Sequence, residues 1–336
     1  MFAEAAQASK VVRAQLQHNA AQLRELGDLL RERPPRAVVT CARGSSDHAA
    51  TYAKYLIEAH TGVLTSSAAP SVSSVYDANT DLRGVLFIAI SQSGRSPDLL
   101  AATKNAKSQG ATTVALCNTR ESPLMELAQV AVPLHAGIET SVAATKSYIA
   151  TLSCIVQFVA YWANDTVLLK ALEQVPDQLA QAWQRNWSAG VHMLKDAVNL
   201  FVIARGYGLG IAQEAALKLK ETCGLHAEAF SAAEVKHGPM ALVGQGFPVL
   251  MLAQQDDTRA DIERLAAEFS GRGASVLVAG AQAPNGTQGL PTISAHPVIE
   301  PLLMIQSFYR MANALAIARG LDPDAPPHLN KVTETL

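Results

Sequence analysis

The chain repeats itself, and the repeat constrains its fold more than any other feature. Ala42-Arg43-Gly44 returns as Ala204-Arg205-Gly206, an offset of 162 residues. Each triplet closes an apolar run, Val38-Val39-Thr40-Cys41 in the first half and Phe201-Val202-Ile203 in the second. A second pair of runs, from Phe87 and from Val249, ends at Gln92 and Gln254, again 162 residues apart. A third pair, Ala111 to Leu116 and Ala274 to Val278, follows Gly110 and Gly273. Three matches in register mark a duplicated unit, so one core must be built twice.

Helical patterns alternate with these runs, as in Asp98 to Gln109 and Thr258 to Gly271. Short apolar runs alternating with helices imply parallel strands joined by crossovers: an α/β fold of two tandem doubly wound parallel sheets with flanking helices. The expected organisation is a helical lead-in over 1–33 stopped by Pro34-Pro35, a first domain over 34–164, a helical linker over 165–195, a second domain over 196–322 and a tail over 323–336. The linker carries Trp183 and Trp187 four residues apart, and Pro323, Pro326 and Pro327 forbid a helix in the tail.

Composition removes several function classes. A net charge of −2 and 5% aromatic residues leave neither a basic footprint nor a base-stacking surface, so no nucleic-acid partner is expected. The most apolar stretch, Tyr148 to Ala163, is interrupted by Thr151, Ser153 and Gln157. It is short for a membrane span and reads as a buried core or dimer-interface helix. The four cysteines are scattered without a CxxC pair, and no His/Cys group has zinc spacing. With no signal peptide at Met1-Phe2-Ala3-Glu4, the expectation is a cytoplasmic protein without metal or cofactor, its thiols reduced.

In doubly wound sheets ligands lie at the carboxyl ends of strands, where glycine turns lead into helix N-termini. Ser91-Gln92-Ser93-Gly94-Arg95-Ser96-Pro97 is such a turn, and Gly44-Ser45-Ser46 is another in the same half. Taken alone, either is an ordinary helix cap. The second half argues otherwise: its corresponding turns are Gly206-Tyr207-Gly208 and Gln254-Gln255-Asp256-Asp257, whose carboxylates would repel a phosphate. A single phosphate site, in the first half, follows. Further on, Glu214, Lys218 and Glu221 share one helix face. That face is a solvated Glu–Lys pair on the bland reading, and a proton-transfer centre if it opens at a ligand edge.

These motifs resemble the sugar isomerase (SIS) domain family, whose domains are flavodoxin-like. The resemblance runs from about Arg36 to Lys331. Its motifs are the two serine turns, Ala143-Ala144-Thr145-Lys146, the Glu214 to Glu221 helix, Glu234-Val235-Lys236-His237-Gly238-Pro239 and Leu329-Asn330-Lys331. The last three are specific to the aminosugar branch. That branch includes the isomerase halves of glutamine–fructose-6-phosphate aminotransferases and the SIS-type glucosamine-6-phosphate deaminases. The resemblance implies that Ser45, Ser46, Ser91, Gln92, Ser93, Ser96 and Val142 hold the phosphate and sugar. It implies Glu221 as the base between C1 and C2 with Lys218 beside it, and His237 as a ring-opening group from the partner subunit of a homodimer with a shared active site. Lys331 would close over the open-chain sugar and be able to form an imine with it. Ala144 stands where the aminotransferases usually have serine, which removes one potential sugar contact.

A glutaminase would need a cysteine at position 2, where this chain has Phe2. The expected reaction is therefore conversion of glucosamine 6-phosphate to fructose 6-phosphate and free ammonia. The alternatives are a glutaminase-less aminotransferase-like enzyme, a plain phosphosugar isomerase or a non-enzymatic phosphosugar sensor.

Overall fold

The computed structural model describes residues 1–76, 78 and 80–331; the end of the tail expected over 323–336 lies outside them. The chain divides into two compact units, neither of them continuous in sequence. One consists of Lys10–Glu139, Lys146–Glu173 and the segment from Asn330; the other of Met1–Ser9, Thr140–Thr145 and Gln174–Leu329.

The first unit holds a five-stranded parallel sheet of β1 (Ala37–Cys41), β2 (Thr65–Ser67), β3 (Val85–Ser91), β4 (Thr112–Cys117) and β5 (Val130–Pro133), in the order β2-β1-β3-β4-β5. The central strand β3, Val-Leu-Phe-Ile-Ala-Ile-Ser, is buried at every position. Such a run belongs in a parallel sheet covered on both faces. The crossover helix Ser45–Thr61 ends at Gly62 in the left-handed region, φ 69°. The Pro97–Ser108 helix starts with proline at its first position, where a missing N–H costs nothing. The apolar stretch from Tyr148 forms the helix Lys146–Trp162, buried nearly all round within the single chain. It is a core helix.

The other unit repeats the plan. Its strands are β6 (Asn199–Ala204), β7 (His226–Ser231), β8 (Pro248–Leu252), β9 (Ser275–Ala279) and β10 (Gln288–Leu290), in the order β10-β9-β8-β6-β7. Counted from its own first strand, that is the order of the other sheet. Both are doubly wound, with the chain reversing direction between the first and third strands, the switch point at which α/β ligands bind. The cores differ in filling. In the first sheet small residues dominate, among them Ala89, Ala102, Ala106, Ala111 and Ala115. In the second, Phe201, Val249, Met251 and Phe269 fill the space, and Phe201 packs on Phe230 and Phe247 with ring centroids 4.9 and 4.8 Å apart.

Two details differ from the sequence reading. The outer strands β2, β5, β7 and β10 carry no long apolar run and were not anticipated. Trp183 and Trp187 do not share a helix face: Trp183 closes the helix Thr166–Trp183, and Trp187 caps the helix Ser188–Leu194, its indole N–H donating to Pro291 O at 2.8 Å.

Candidate functional site

Strands β1 and β3 are neighbours, with Cys41 opposite Ala89, so their carboxyl ends deliver both serine turns to one edge of the sheet. Gly44 turns the chain with φ 55°, and Ser45 and Ser46 open the next helix half-buried. Their N–H groups belong to the first helical turn, which lacks intrahelical acceptors. In the second turn Gly94 takes φ 66°, and a Cβ there would meet Cys117 Sγ at 2.8 Å and Ser122 Oγ. Only glycine fits. Ser91 is largely buried, and its Oγ accepts the Gly94 N–H at 2.9 Å, so this hydroxyl shapes the turn. Ser93 and Gln92 are partly exposed, and Ser93 Oγ accepts the Arg95 N–H at 3.4 Å. Ser96 occupies the N-cap of the Pro97–Ser108 helix, yet its hydroxyl makes no capping hydrogen bond. Two helix N-termini and a cluster of hydroxyls thus share one edge, an arrangement suited to an anion. Beside them, burial raises the pKa of the Asp47 carboxyl, opposed by His48 and Arg43.

Arg43 joins the two turns. Its Nε donates to Asp98 Oδ2 at 2.8 Å, and Asp98 is 1% exposed. The other unit repeats this bond: Arg205, one repeat later, pairs with Asp261 in the first turn of the Arg259–Gly271 helix. The pair was not foreseen. Its signal was present, because Asp98 and Asp261 are 163 residues apart, the spacing of the third strand match.

In the other unit the Leu209–Cys223 helix begins just after β6 and a short 3-10 turn, Gly206–Gly208. Lys218 is buried between two carboxylates of its own helix, 3.5 Å from Glu214 Oε1 and in direct contact with Glu221 Oε2. Glu214 is fully buried and accepts the Tyr309 hydroxyl at 3.1 Å. Glu221 is 20% exposed. A chain of charge runs from the buried Glu214, through Lys218, to one carboxylate that reaches solvent. The bland solvated-face reading does not survive this burial. Tyr309 was missed, since nothing in the sequence places the Glu300–Ala318 helix against Glu214.

The remaining candidates are His237, Val142 and Lys331. His237 is exposed at the end of a 3-10 turn, Glu234–His237, between β7 and β8. Val142 is partly buried, its N–H donating to Asp324 O at 3.3 Å. Lys331, in the first unit, sits 3.4 Å from the buried carboxylate of Glu139. Glu139 was not singled out from sequence. The first unit therefore carries Ser45, Ser46, Ser91, Gln92, Ser93, Ser96 and Lys331, and the other Val142, Lys218, Glu221 and His237. Among the described residues no group of three or more His, Cys, Asp or Glu side chains is arranged to hold a metal ion, and no helix is long and apolar enough to cross a membrane.

The SIS domain model matches residues 33–161 and 193–285. A glutamine–fructose-6-phosphate aminotransferase of Aeropyrum pernix is 34% identical over 307 residues, 86% of this chain and 49% of the relative. The chain thus spans about half the length of the curated relatives it matches. Among solved structures, a candidate phosphosugar isomerase from Silicibacter pomeroyi superposes with TM-score 0.92 at 41% identity, covering 96% of this chain and 99% of that one. The C-terminal domain of glucosamine-fructose-6-phosphate aminotransferase from Francisella tularensis gives TM-score 0.87 at 25% identity, covering 96% and 97%. With two repeats of one doubly wound sheet and these matches over most of its length, the chain belongs to the SIS domain family.

Proposed function

We propose that the chain converts glucosamine 6-phosphate to fructose 6-phosphate and ammonia. The observation that supports this most is Glu221, a carboxylate at the solvent end of a buried Glu214–Lys218–Glu221 network. A base that moves a proton between adjacent carbons must stay in place while its proton leaves one carbon and returns to the next. Lys218 holds Glu221 in that way.

In this reading the serine turns take the phosphate and the sugar opens to its aldehyde. Glu221 removes the C2 proton, leaving an enolamine, and returns it to C1. The resulting C2 ketimine adds water and expels ammonia, so the atoms balance and no hydride moves. Lys331 lies beside the open chain, able to form an imine with the keto product. His237, exposed in the single chain, opens the ring in the partner subunit of a homodimer.

Ammonia evolution from glucosamine 6-phosphate by the purified chain tests the reading. The same preparation should make glucosamine 6-phosphate from fructose 6-phosphate and ammonium, not from glutamine. Binding without turnover across the hexosamine 6-phosphates would sink the enzymatic reading, and glutamine-driven synthesis would sink the deaminase direction. For the shared site, Glu221→Gln and His237→Ala chains are mixed under conditions where subunits exchange. Activity should return in the mixture, and its failure to do so would place His237 in its own chain's site.

A further inference from the structure

We propose that Glu139 is the positioning residue for Lys331, anchoring its ammonium where the open-chain sugar is to be met. The inference rests on the role given to Lys331 above. Three observations within one unit carry it. The Glu139 side chain has no solvent exposure, and Lys331, whose side chain is 23% exposed, brings Nζ to 3.4 Å from Glu139 Oε2. The carboxylate is fixed at the N-terminus of the Lys146–Trp162 helix, where Ser147 N–H donates to Oε1 at 3.3 Å and Ser147 Oγ to Oε2. A carboxylate is favoured there by the helix dipole. Lys146 Nζ also donates to Ile138 O at 2.6 Å, holding the backbone beside Glu139.

Among the described residues, the stretch from His328 to Lys331 is neither helix nor strand, so regular backbone structure does not position the Lys331 side chain. A lysine side chain loses much rotamer freedom when ordered. An amine already anchored near its target needs less ordering when substrate arrives. The simpler view, that Glu139 only caps its helix, accounts for Ser147 but makes the Lys331 contact incidental.

The test uses the full chain as wild type and as Glu139→Gln, Glu139→Asp, Ser147→Ala and Lys331→Ala. Without substrate, each is acetylated by a limiting active ester, and the Lys331 peptide is followed by mass spectrometry. Losing the charged anchor should expose the amine and raise its labelling rate about fivefold in Glu139→Gln, the scale of a partly exposed ion pair. Ser147→Ala should give a smaller rise, and Lys104 and Lys170 should label as in wild type. In parallel, fructose 6-phosphate is trapped on Lys331 with cyanoborohydride: the amine adds to C2, water leaves, and hydride reduces the C=N bond. Trapping and kcat should fall about tenfold in Glu139→Gln with a smaller change in KM, and Glu139→Asp should recover part of the loss.

Unchanged Lys331 labelling in a folded Glu139→Gln chain overturns the inference and leaves the role of Lys331 standing. Raised labelling with normal trapping and turnover reduces Glu139 to a helix cap and overturns it too. Full turnover by Lys331→Ala instead overturns the role of Lys331, and the inference with it. Where Glu139→Gln fails to fold, seen as faster labelling of every lysine, Ser147→Ala decides by the same two readouts.

Discussion

Gly44 and Gly206 hold equivalent places in the repeat and have nearly the same backbone, φ 55° and 59°. Above them the two units differ. A Cβ on Gly44 would meet nothing within 4 Å among the described residues; one on Gly206 would meet Gln254 Nε2 at 3.4 Å and Asp256 Oδ2 at 4.0 Å. Gln254 is fully buried, folded back over its own switch point, where Nε2 reaches Arg205 O and Asp256 Oδ2 at 2.8 Å and Thr258 Oγ1 at 3.0 Å. Asp256 in turn accepts Thr258 N–H at 2.9 Å. Its counterpart Gln92 stays partly exposed. The duplicated skeleton thus keeps the Arg–Asp pair in both copies but leaves one turn open and fills the other with an amide and a carboxylate. The two switch points differ in a few side chains at the turn, not in the fold that presents them.

If the serine turns hold substrate and Glu221 reacts with it, substitutions should separate binding from turnover. The largest effect is expected at Glu221. Glu221→Gln keeps the shape and its contact with Lys218 but removes the basicity, so kcat should fall by about 10²-fold or more with KM little changed. Steady-state kinetics and solvent-deuterium exchange at C2 check this; exchange that survives the change would remove Glu221 from the mechanism.

Next comes the repeated Arg–Asp pair, where sequence is alike and burial is not. Asp98 is 1% exposed, whereas Asp261 is 31% exposed. Asp98→Asn should lose about 2 kcal/mol of stability, because the buried carboxylate loses its charge-assisted hydrogen bond to Arg43, whose own side chain is 56% exposed. Asp261→Asn should lose under about 1 kcal/mol, the range of solvent-screened pairs. Urea denaturation compares the two, and equal losses would mean that burial does not set the difference.

This contrast shows what could be read from sequence. Periodicity and the 162-residue offset revealed both sheets and both switch points, because central parallel strands must be apolar on both faces. The outer strands were hidden: β2 and β10 are three residues long, too short for a pattern. The serine turns and the Glu214–Lys218–Glu221 face were visible as spacing. The identity of glutamine at 92 and 254 concealed that only one folds inward, since the acceptors that draw it in arrive from Asp256 and Thr258. Glu139 left a faint trace, an acidic residue just ahead of an apolar helix, but its pairing with Lys331 spans 192 residues of chain and no periodicity reaches that far.

A smaller effect is expected at the open turn. Ser93→Ala should raise KM by about tenfold or more, as a hydroxyl bonded to a charged group contributes roughly 1.5–3 kcal/mol. Its kcat should barely move. A sugar phosphate bound at Gln255 and Asp256, with none near Ser93, would reverse the assignment of the two units.

The smallest effect should come from opening the filled turn. Gln254→Ala removes one amide whose Nε2 serves three acceptors while its Oε1 is buried without a hydrogen-bond partner among the described residues. The gains and losses partly offset, so stability should fall by only about 1 kcal/mol. KM for the sugar phosphate should stay at the wild-type value, because no substrate group is placed there. Inorganic phosphate should not enter the opened turn either, since Asp256 still faces it and like charge at short range is unfavourable. Two measurements separate the contributions of filling and charge. A KM rise like that of Ser93→Ala would show that the filled turn does take part in binding. Phosphate binding gained by Gln254→Ala alone would show that the amide closes this switch point without help from the carboxylate. If phosphate is gained only when Asp256→Ser is added, the charge at Asp256 is what keeps the second copy of the fold from holding what the first one holds.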